Sequence, residues 1–262
     1  MKIGVLKEIK DNEKRVAITP NVVTKIKKLG YDILVENDLG LKSNFYNSQY
    51  IDNGAEVVSK DEVYKCDLIL KINKPSEDEV LQLSGSQTLV SFFSPALNTN
   101  LLEVCKKDKI NILSMDSVPR ISRAQKMDAL SSMANVAGSR AVIEAAHCFG
   151  RFFGGQITAA GKINPAKILI IGAGVAGLSA IGTASSLGAI VRAFDTRPEV
   201  KEQVESLGAQ FLTVNLDEDG SSKDGYAKVM SEEFIAAEMA LFKEQAQDVD
   251  IIITTALIPG KE

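Results

Sequence analysis

Three glycines, Gly172, Gly174 and Gly177, have the spacing of a turn that holds a phosphate against main-chain N–H groups. An apolar strand-like run at 168–171 leads into the first glycine, and a helical pattern starts near Val175. In this context Gly172 can form the tight turn, Gly174 can let the backbone approach a pyrophosphate, and Gly177 can allow close packing of the helix on the strand. The turn, which also contains Ala176, predicts a dinucleotide with its pyrophosphate at the start of the helix.

Asp195 ends the next strand-like run of this half of the chain and could recognise a ribose. A carboxylate at this place accepts hydrogen bonds from the adenosine ribose hydroxyls and repels a 2′-phosphate. Arg197 follows two residues later, so its charge keeps NADP(H) open as a ligand. The acid at the strand end is the stronger signal, and the sequence therefore predicts NAD(H).

Residues that could move a proton are scarce. The only histidine, His147, lies beside Cys148 in a helical pattern, and a lone histidine without a partner motif is more often packed or exposed than catalytic. The 3 cysteines have neither the spacing of a metal site nor an even count, so we expect reduced thiols. A zinc enzyme or a histidine-based hydrolase is not expected, and no metal site is predicted.

Short apolar runs alternate with amphipathic stretches along the chain, which is typical of an α/β fold with largely parallel sheets. A long helical pattern, rich in small residues, extends from about Ala129 to Phe152, and the segment after it is expected to be a loop. The residues after the last strand-like run, among them Ala256 and Leu257, should line the ligand crevice. We expect two Rossmann-like domains, an N-terminal one at 1–128 and a doubly wound nucleotide-binding one at 166–262 that ends before its sheet is complete, joined by a long helix and linker at 129–165.

Composition indicates a globular protein, with 45% hydrophobic and 24% charged residues. The formal net charge of -4 argues against nucleic acid as the main partner, because phosphate binding needs clustered cations. No apolar run reaches the roughly 18 residues that a membrane span needs. The N-terminus lacks the pattern of a secretory signal. We therefore expect the chain itself to be soluble.

Several segments resemble one family. Residues 12–20 (NEKRVAITP) are similar to the start of the alanine dehydrogenase and nicotinamide nucleotide transhydrogenase superfamily. Residues 115–132 (MDSVPRISRAQKMDALSS), 194–204 and 225–230 (GYAKVM) resemble, more narrowly, the NAD(H)-binding domain of proton-translocating transhydrogenase, as found in the α subunit of the bacterial enzyme. The resemblance covers the whole chain.

The resemblance implies roles for particular residues. Arg120, Gln125 and Asp128 match an Arg-Gln-Asp loop that positions the nicotinamide, its ribose and the nearby phosphate, with Ser131 beside the carboxamide. On charge pattern alone, Arg120 and Asp128 could instead be a surface ion pair that caps the following helix. Further contacts with NAD(H) are implied for the motif at Asp195 and for a mobile loop that closes over the nucleotide, through Thr196, Arg197, Gly225, Tyr226 and Met230.

Alanine dehydrogenase is the alternative within the same superfamily. Its members need a lysine and a histidine to bind pyruvate and move a proton, and the matching positions here hold Asn73 and Ser94, with Lys71 and Lys74 close by. Arg15, which binds the substrate carboxylate in that family, is expected to be a structural cation here. The missing acid and base fit hydride transfer between two nicotinamide rings, which needs only apposition and orientation.

The resemblance thus implies the NAD(H)-binding part of an enzyme that exchanges hydride between NAD(H) and NADP(H) and moves protons across a membrane. NADP(H) would be held by a partner domain, and the membrane domain would come from the rest of the α subunit and the β subunit. A homodimer at the cytoplasmic side of the bacterial inner membrane is implied as well. An alanine dehydrogenase-like amino-acid oxidoreductase, or a truncated fragment that binds nucleotide poorly and catalyses nothing, are the alternatives.

Overall fold

In the computed structural model, Met1–Pro119 form one unit around a six-stranded sheet. Every strand pairs in parallel with its neighbours, in the order β3-β2-β1-β4-β5-β6. The strands are short and apolar, as expected where helices cover both faces of a parallel sheet. They are β1 (Lys2–Val5), β2 (Asp32–Glu36), β3 (Glu56–Val58), β4 (Leu68–Leu70), β5 (Thr88–Ser91) and β6 (Asn111–Ser114).

The helices of the first unit lie between these strands and bury their apolar sides on the sheet. Val5 and Ile33 belong to one buried cluster, and Ile69 and Phe93 belong to another. The order reverses between β1 and β4, which leaves a crevice at the carboxyl ends of these two strands. The helices are α1 (Pro20–Lys27), α2 (Asn47–Asp52), α3 (Lys60–Val63), α4 (Glu77–Val80) and α5 (Thr99–Lys107).

The second unit begins at Arg120 and has its own parallel sheet, with the strand order β11-β10-β9-β12. The structure describes residues 1–214, 216, 218–221, 228 and 230–256. Within that part, the sheet is covered by α6 and α7 on one side and by α9 on the other. The elements are α6 (Ala129–Cys148), β7 (Gln156–Thr158), β8 (Gly161–Ile163), β9 (Lys167–Ile171), α7 (Val175–Ser186), β10 (Ile190–Phe194), α8 (Lys201–Ser206), β11 (Gln210–Leu212), α9 (Glu232–Gln245) and β12 (Ile251–Thr254).

The predicted α/β fold with parallel sheets is confirmed, and three local predictions are corrected. Strand β3 is not evident from the sequence, because its three residues, one exposed and two half-buried, leave almost no periodic signal. The long helix α6 ends at Cys148 rather than at Phe152. The segment after it, predicted as a loop, contains the antiparallel hairpin of β7 and β8. Among the described residues, the structure has no helix that combines the length and the apolar character needed to cross a membrane.

Candidate dinucleotide-binding site

The three glycines of the turn have different surroundings. Gly172 has a φ of +97°, and a Cβ atom there would lie 2.7 Å from Oγ1 of Thr255. A Cβ atom on Gly177 would lie 1.8 Å from the carbonyl oxygen of Gly172, so helix α7 can approach β9 only without a side chain here. A Cβ atom on Gly174 would meet none of the described atoms within 4 Å. The first and third glycines therefore serve the fold, while the second leaves open space at the mouth of the turn.

Helix α7 starts directly behind this open space. Gly174 is its N-cap residue, and it supplies no side chain to accept from the first turn. The first regular helical bond is the one from Leu178 N–H to the Gly174 carbonyl, at 2.8 Å. The N–H groups before it, including those of Val175 and Ala176, are the unsatisfied donors of a helix start, where the helix dipole also favours an anion. This end of α7 can hold a pyrophosphate.

Asp195 lies immediately beside the turn, at the carboxyl end of β10. Its Oδ2 atom accepts from the N–H of Ala173 at 2.7 Å and from Nη2 of Arg197 at 3.0 Å. Its Oδ1 atom accepts from the main-chain N–H and from Nε of Arg197, both at 2.9 Å. Burial acts to raise the pKa of Asp195, but the hydrogen bonds from Arg197 and Ala173 outweigh it, so the pKa is lowered and the carboxylate is charged at neutral pH.

Thr196 is covered by the segment that follows β11. The N–H of Gly220 donates to the Thr196 carbonyl at 3.1 Å, and a Cβ atom on Gly220 would lie 2.5 Å from Thr196 Oγ1. Glu218, in the same segment, accepts from both the N–H and the hydroxyl of Ser231 at the start of α9. These contacts fix the described part of the segment against the end of β10. Met230 is buried beneath it, in a cluster with Phe194, Leu212 and other apolar side chains.

The predicted Arg-Gln-Asp loop precedes helix α6 in the same unit. Asp128 is the N-cap residue: its Oδ1 accepts from Ser131 N–H at 2.9 Å, and its Oδ2 accepts from the Ser131 hydroxyl at 2.6 Å. Burial acts to raise the pKa of Asp128, but the bonds from Ser131 and the charge of Arg120 outweigh it and lower the pKa. Gln125 is exposed. Asp128 thus has the capping role that the charge pattern suggested, and the Ser131 bonds, with a smaller contribution from Arg120, lower its pKa.

Helix α6 crosses α7 at an unusually close point, next to the glycine turn. A Cβ atom on Gly138 would lie 1.9 Å from the carbonyl oxygen of Ala176. Two hydroxyls fix the crossing: Ser179 donates to the Asn135 carbonyl at 2.7 Å, and Thr183 donates to the Ser139 hydroxyl at 3.1 Å. Asp128, the last residue of the Arg-Gln-Asp loop, is ten residues upstream of Gly138, about 15 Å along the helix axis. The crossing therefore sets where this loop lies relative to the turn.

The residues that follow β12 also contact the glycine turn. Thr255 donates its N–H to the Ile171 carbonyl at 2.8 Å, and its hydroxyl lies 3.0 Å from the Gly172 carbonyl. The N–H nitrogen of Ala256 would be 3.4 Å from a Cβ atom on Gly172. Three predicted site residues, Gly225, Tyr226 and Leu257, lie outside the described residues.

Sequence comparisons identify the family. A sequence model described as alanine dehydrogenase/PNT, N-terminal domain, matches residues 4–137, and a model of the C-terminal domain matches residues 141–262. The chain belongs to the alanine dehydrogenase/PNT family. The predicted resemblance is thereby confirmed, and both units belong to the match.

The similar proteins in this family are named either transhydrogenase or alanine dehydrogenase. The chain is 59% identical to NAD(P) transhydrogenase subunit alpha of Haemophilus influenzae, with 100% of this chain and 51% of the relative covered, so it spans about half of that protein. The crystal structure of transhydrogenase from Sinorhizobium meliloti is similar with a TM-score of 0.88 and 39% identity, over 100% of this chain and 71% of that one. A structure named L-alanine dehydrogenase follows with a TM-score of 0.81 and 25% identity, over 100% and 68%.

The crevice of the first unit contains Asn73 and lies next to the ion pair of Arg15. Glu8 and Asn73 follow β1 and β4, where the strand order reverses, and Asn73 Nδ2 donates to Glu8 Oε2 at 2.9 Å and to Glu13 Oε2 at 3.0 Å. The guanidinium of Arg15 donates to both oxygens of Glu13, at 2.9 and 2.8 Å. The bond from Arg15 outweighs burial and lowers the pKa of Glu13 to about 2. Arg15 is thus paired with Glu13, and its side chain stays partly exposed.

The lysines on either side of Asn73 have partners of their own. Lys71 is buried, and its Nζ lies 2.7 Å from both oxygens of Glu79. Lys74 donates to Asn98 Oδ1. His147 is exposed at the end of α6. Among the described residues, no cluster of histidine, cysteine or acidic side chains could hold a metal ion.

Two residues that contribute to the site geometry were not predicted as site residues. Gly138 is one glycine among many small residues of α6, and nothing in its local sequence shows that α7 crosses there. Thr255 follows a strand that the sequence did predict. Its position could have been recognised, because a hydroxyl at the carboxyl end of a strand beside the glycine turn is placed to contact that turn.

Proposed function

We propose that this chain is the NAD(H)-binding part of an NAD(P) transhydrogenase. The observation that carries the proposal is the open mouth of the turn at Gly174, with the free N–H groups of α7 behind it and a charged carboxylate, Asp195, at its side. This is the donor set that a pyrophosphate and an adjoining ribose require. The similarity to transhydrogenase subunits supports the choice of NAD(H) as the ligand.

The proposed roles of the chain's residues follow from their chemistry. The N–H groups of residues 174–176 bind the pyrophosphate, and Asp195 with the neighbouring Thr196 and Arg197 faces the adenosine ribose. Gln125 offers one amide donor and one acceptor to a carboxamide, while Arg120 and Asp128 hold the loop that carries it. NAD(H), when bound, supplies or accepts the hydride. The task of the chain is to bind and orient it.

A transhydrogenase function would also account for the absence of a described acid–base group for an amino-acid substrate in the first unit. With Asn73 bound to two carboxylates and Arg15 bound to Glu13, the crevice between β1 and β4 has no described acid–base group suited to an amino-acid substrate. Exchange between two nicotinamides needs no such group. In the proposed enzyme, NADP(H) is held by a separate domain, proton passage occurs in the membrane domain, and two copies of this chain form a homodimer at the cytoplasmic side of the inner membrane.

Reconstitution tests the proposal. The chain is mixed with a purified NADP(H)-binding domain of a transhydrogenase, and hydride exchange is followed between NADH and an oxidised nucleotide analogue. We expect exchange only when both proteins are present. Binding of NADH to the chain alone is measured in parallel by titration of its fluorescence.

Each alternative has its own outcome in this experiment. Turnover of alanine or pyruvate by the chain alone would replace the proposal with an amino-acid dehydrogenase. Absence of NADH binding by a folded chain would identify a fragment without nucleotide affinity.

A further inference from the structure

Helix α6 contacts the first turn of α7 directly. Ala176 lies in that turn, and its N–H is one of the proposed pyrophosphate donors. Its carbonyl oxygen would be only 1.9 Å from a Cβ atom on Gly138, a buried residue of α6. The backbone of α6 therefore packs against the same turn of α7 that supplies donors to the nucleotide.

The apolar contact between the two helices is made mainly by small side chains. Val142 of α6 belongs to one buried cluster with Ala180 and Ala184 of α7, and Ala141 and Ala145 pack against this cluster. Side chains form the ridges and grooves that fix one helix on another, and the ridges of alanine are low. This packing therefore opposes small shifts of α6 along or about its axis only weakly.

Two hydroxyl groups of α7 restrain such shifts. Ser179 donates to the Asn135 carbonyl at 2.7 Å, and the hydroxyls of Thr183 and Ser139 share a hydrogen bond at 3.1 Å. Asn135 and Ser139 lie on either side of Gly138 along α6. Because hydrogen bonds are directional, two of them at different points fix both the rotation of α6 and its position along its axis.

Helix α6 carries the Arg-Gln-Asp loop at its start. Asp128 accepts from both the N–H and the hydroxyl of Ser131, so the end of the loop is tied to the first turn of the helix. Asn135 is four residues beyond Ser131, about 6 Å along the helix axis. A shift of α6 on α7 therefore moves Ser131 and the loop relative to the N–H groups of the glycine turn.

We propose that Ser179 and Thr183 are positioning residues for hydride transfer: their hydroxyls hold α6 in register on α7, which fixes the nicotinamide end of the site relative to the pyrophosphate end. The inference rests on the proposed function, in which the Arg-Gln-Asp loop contacts the nicotinamide. Both residues lie beyond the first turn of α7, so they act through α6. Placement matters for this reaction, since a displacement of about 1 Å at a reacting group costs on the order of 100-fold in rate.

The test is the double variant Ser179→Ala/Thr183→Val, which removes both hydroxyls with little change in side-chain volume. NADH affinity is measured by fluorescence titration, and hydride exchange is measured at saturating NADH with the purified NADP(H)-binding domain. We expect exchange to slow about tenfold. NADH affinity should stay close to that of the wild type, because the donors of the turn and Asp195 are unchanged. Unaltered exchange would overturn the proposal, and so would a loss of NADH affinity large enough to account for the slower exchange.

Single variants of α7 assign the effect to the hydroxyl groups. Thr183→Ser keeps the hydroxyl and should exchange at the wild-type rate, whereas Thr183→Val keeps the volume and should be slower. Ser186→Ala is the matched control, because Ser186 ends the same helix with an exposed hydroxyl that has no hydrogen-bond partner among the described residues. It should change neither exchange nor NADH affinity. Slow exchange in Thr183→Ser or in Ser186→Ala would contradict the proposal.

A double-mutant cycle with Gln125→Ala separates positioning from a general loss of structure. If the two hydroxyls act by placing the loop that carries Gln125, their removal from Gln125→Ala should slow exchange little further, so the two effects do not multiply. Effects that multiply would show that the hydroxyls act independently of the loop, and would overturn the proposal.

The failure of this inference is separable from the failure of the proposed function. A folded wild-type chain that does not bind NADH, or does not exchange hydride with the NADP(H)-binding domain, contradicts the proposed function. A wild-type chain that exchanges, and that slows on loss of Gln125 but not on loss of the two hydroxyls, contradicts only the positioning role of Ser179 and Thr183.

Discussion

Replacement of Gly174 by alanine should weaken nucleotide binding without lowering the stability of the fold. Gly174 has φ −74° and ψ −166°, an extended conformation that any residue can adopt. The added methyl group would meet none of the described atoms within 4 Å. The folded state should tolerate the substitution, and the smaller entropy of the unfolded chain should stabilise the protein by about 0.4–1 kcal/mol.

The same methyl group occupies the space through which a pyrophosphate would approach the N–H groups of α7. Loss of one hydrogen bond to a charged phosphate costs about 1.5–3 kcal/mol. This corresponds to an affinity for NADH weaker by about tenfold to 150-fold. Gly174→Ala should therefore bind NADH much more weakly while melting at the same temperature or higher.

Gly182→Ala is the matched control for this prediction. Gly182 lies within the same helix, and a Cβ atom there would meet only Leu207 Cδ2, at 3.8 Å. It should gain stability of about 0.5–1 kcal/mol without any change in NADH affinity. The assay is a fluorescence titration with NADH beside a thermal unfolding curve for each protein. Wild-type affinity in Gly174→Ala would refute the assignment of the pyrophosphate to this turn.

Three further substitutions test other parts of the account. Gly138→Ala should destabilise the chain by about 1–3 kcal/mol in urea unfolding, because its Cβ atom would lie 1.9 Å from the Ala176 carbonyl oxygen; an unchanged midpoint would show that the helices cross less closely. Gln125→Ala should leave stability within about 0.5 kcal/mol, since the side chain is exposed, yet slow exchange in the reconstituted enzyme. An unaltered exchange rate would remove Gln125 from the site. Glu13 has its pKa lowered from 4.5 to about 2, so its pairing stabilises the fold above the higher value and is lost as the pH falls through the lower one; Glu13→Gln should flatten the stability profile in that window, and a profile of unchanged slope would contradict the pairing.

The elements around the glycine turn were predictable because their signals are local. The strand before Gly172, the turn and the helix after it follow directly from residue type and spacing, and β10 ends at Phe194, one residue before the predicted end at Asp195. The end of α6 was missed although Gly150, two residues beyond Cys148, is a common stop signal. The hairpin of β7 and β8 carries a single strongly apolar residue in its first strand, Ile157, which is too little for a period of two to be recognised.

The position of Asp195 was predictable, but its hydrogen bonds were not. Sequence alone placed Asp195 beside the turn, because the carboxyl ends of neighbouring parallel strands share an edge. It could not show that Arg197 fills the carboxylate, since a side chain two residues away can point in several directions. The contact of Gly138 with Ala176 joins two helices that only the tertiary packing brings together.

Deuterium transfer tests the central claim most directly. NADH labelled with deuterium at the transferable position of the nicotinamide is mixed with NADP⁺, this chain and a purified NADP(H)-binding domain, and the NADPH formed is analysed by mass spectrometry. If the nucleotide bound by this chain passes its hydride directly to the second nucleotide, the NADPH carries the deuterium in full. Deuterium lost to solvent, or absence of NADPH from a mixture in which this chain binds NADH, would contradict the account.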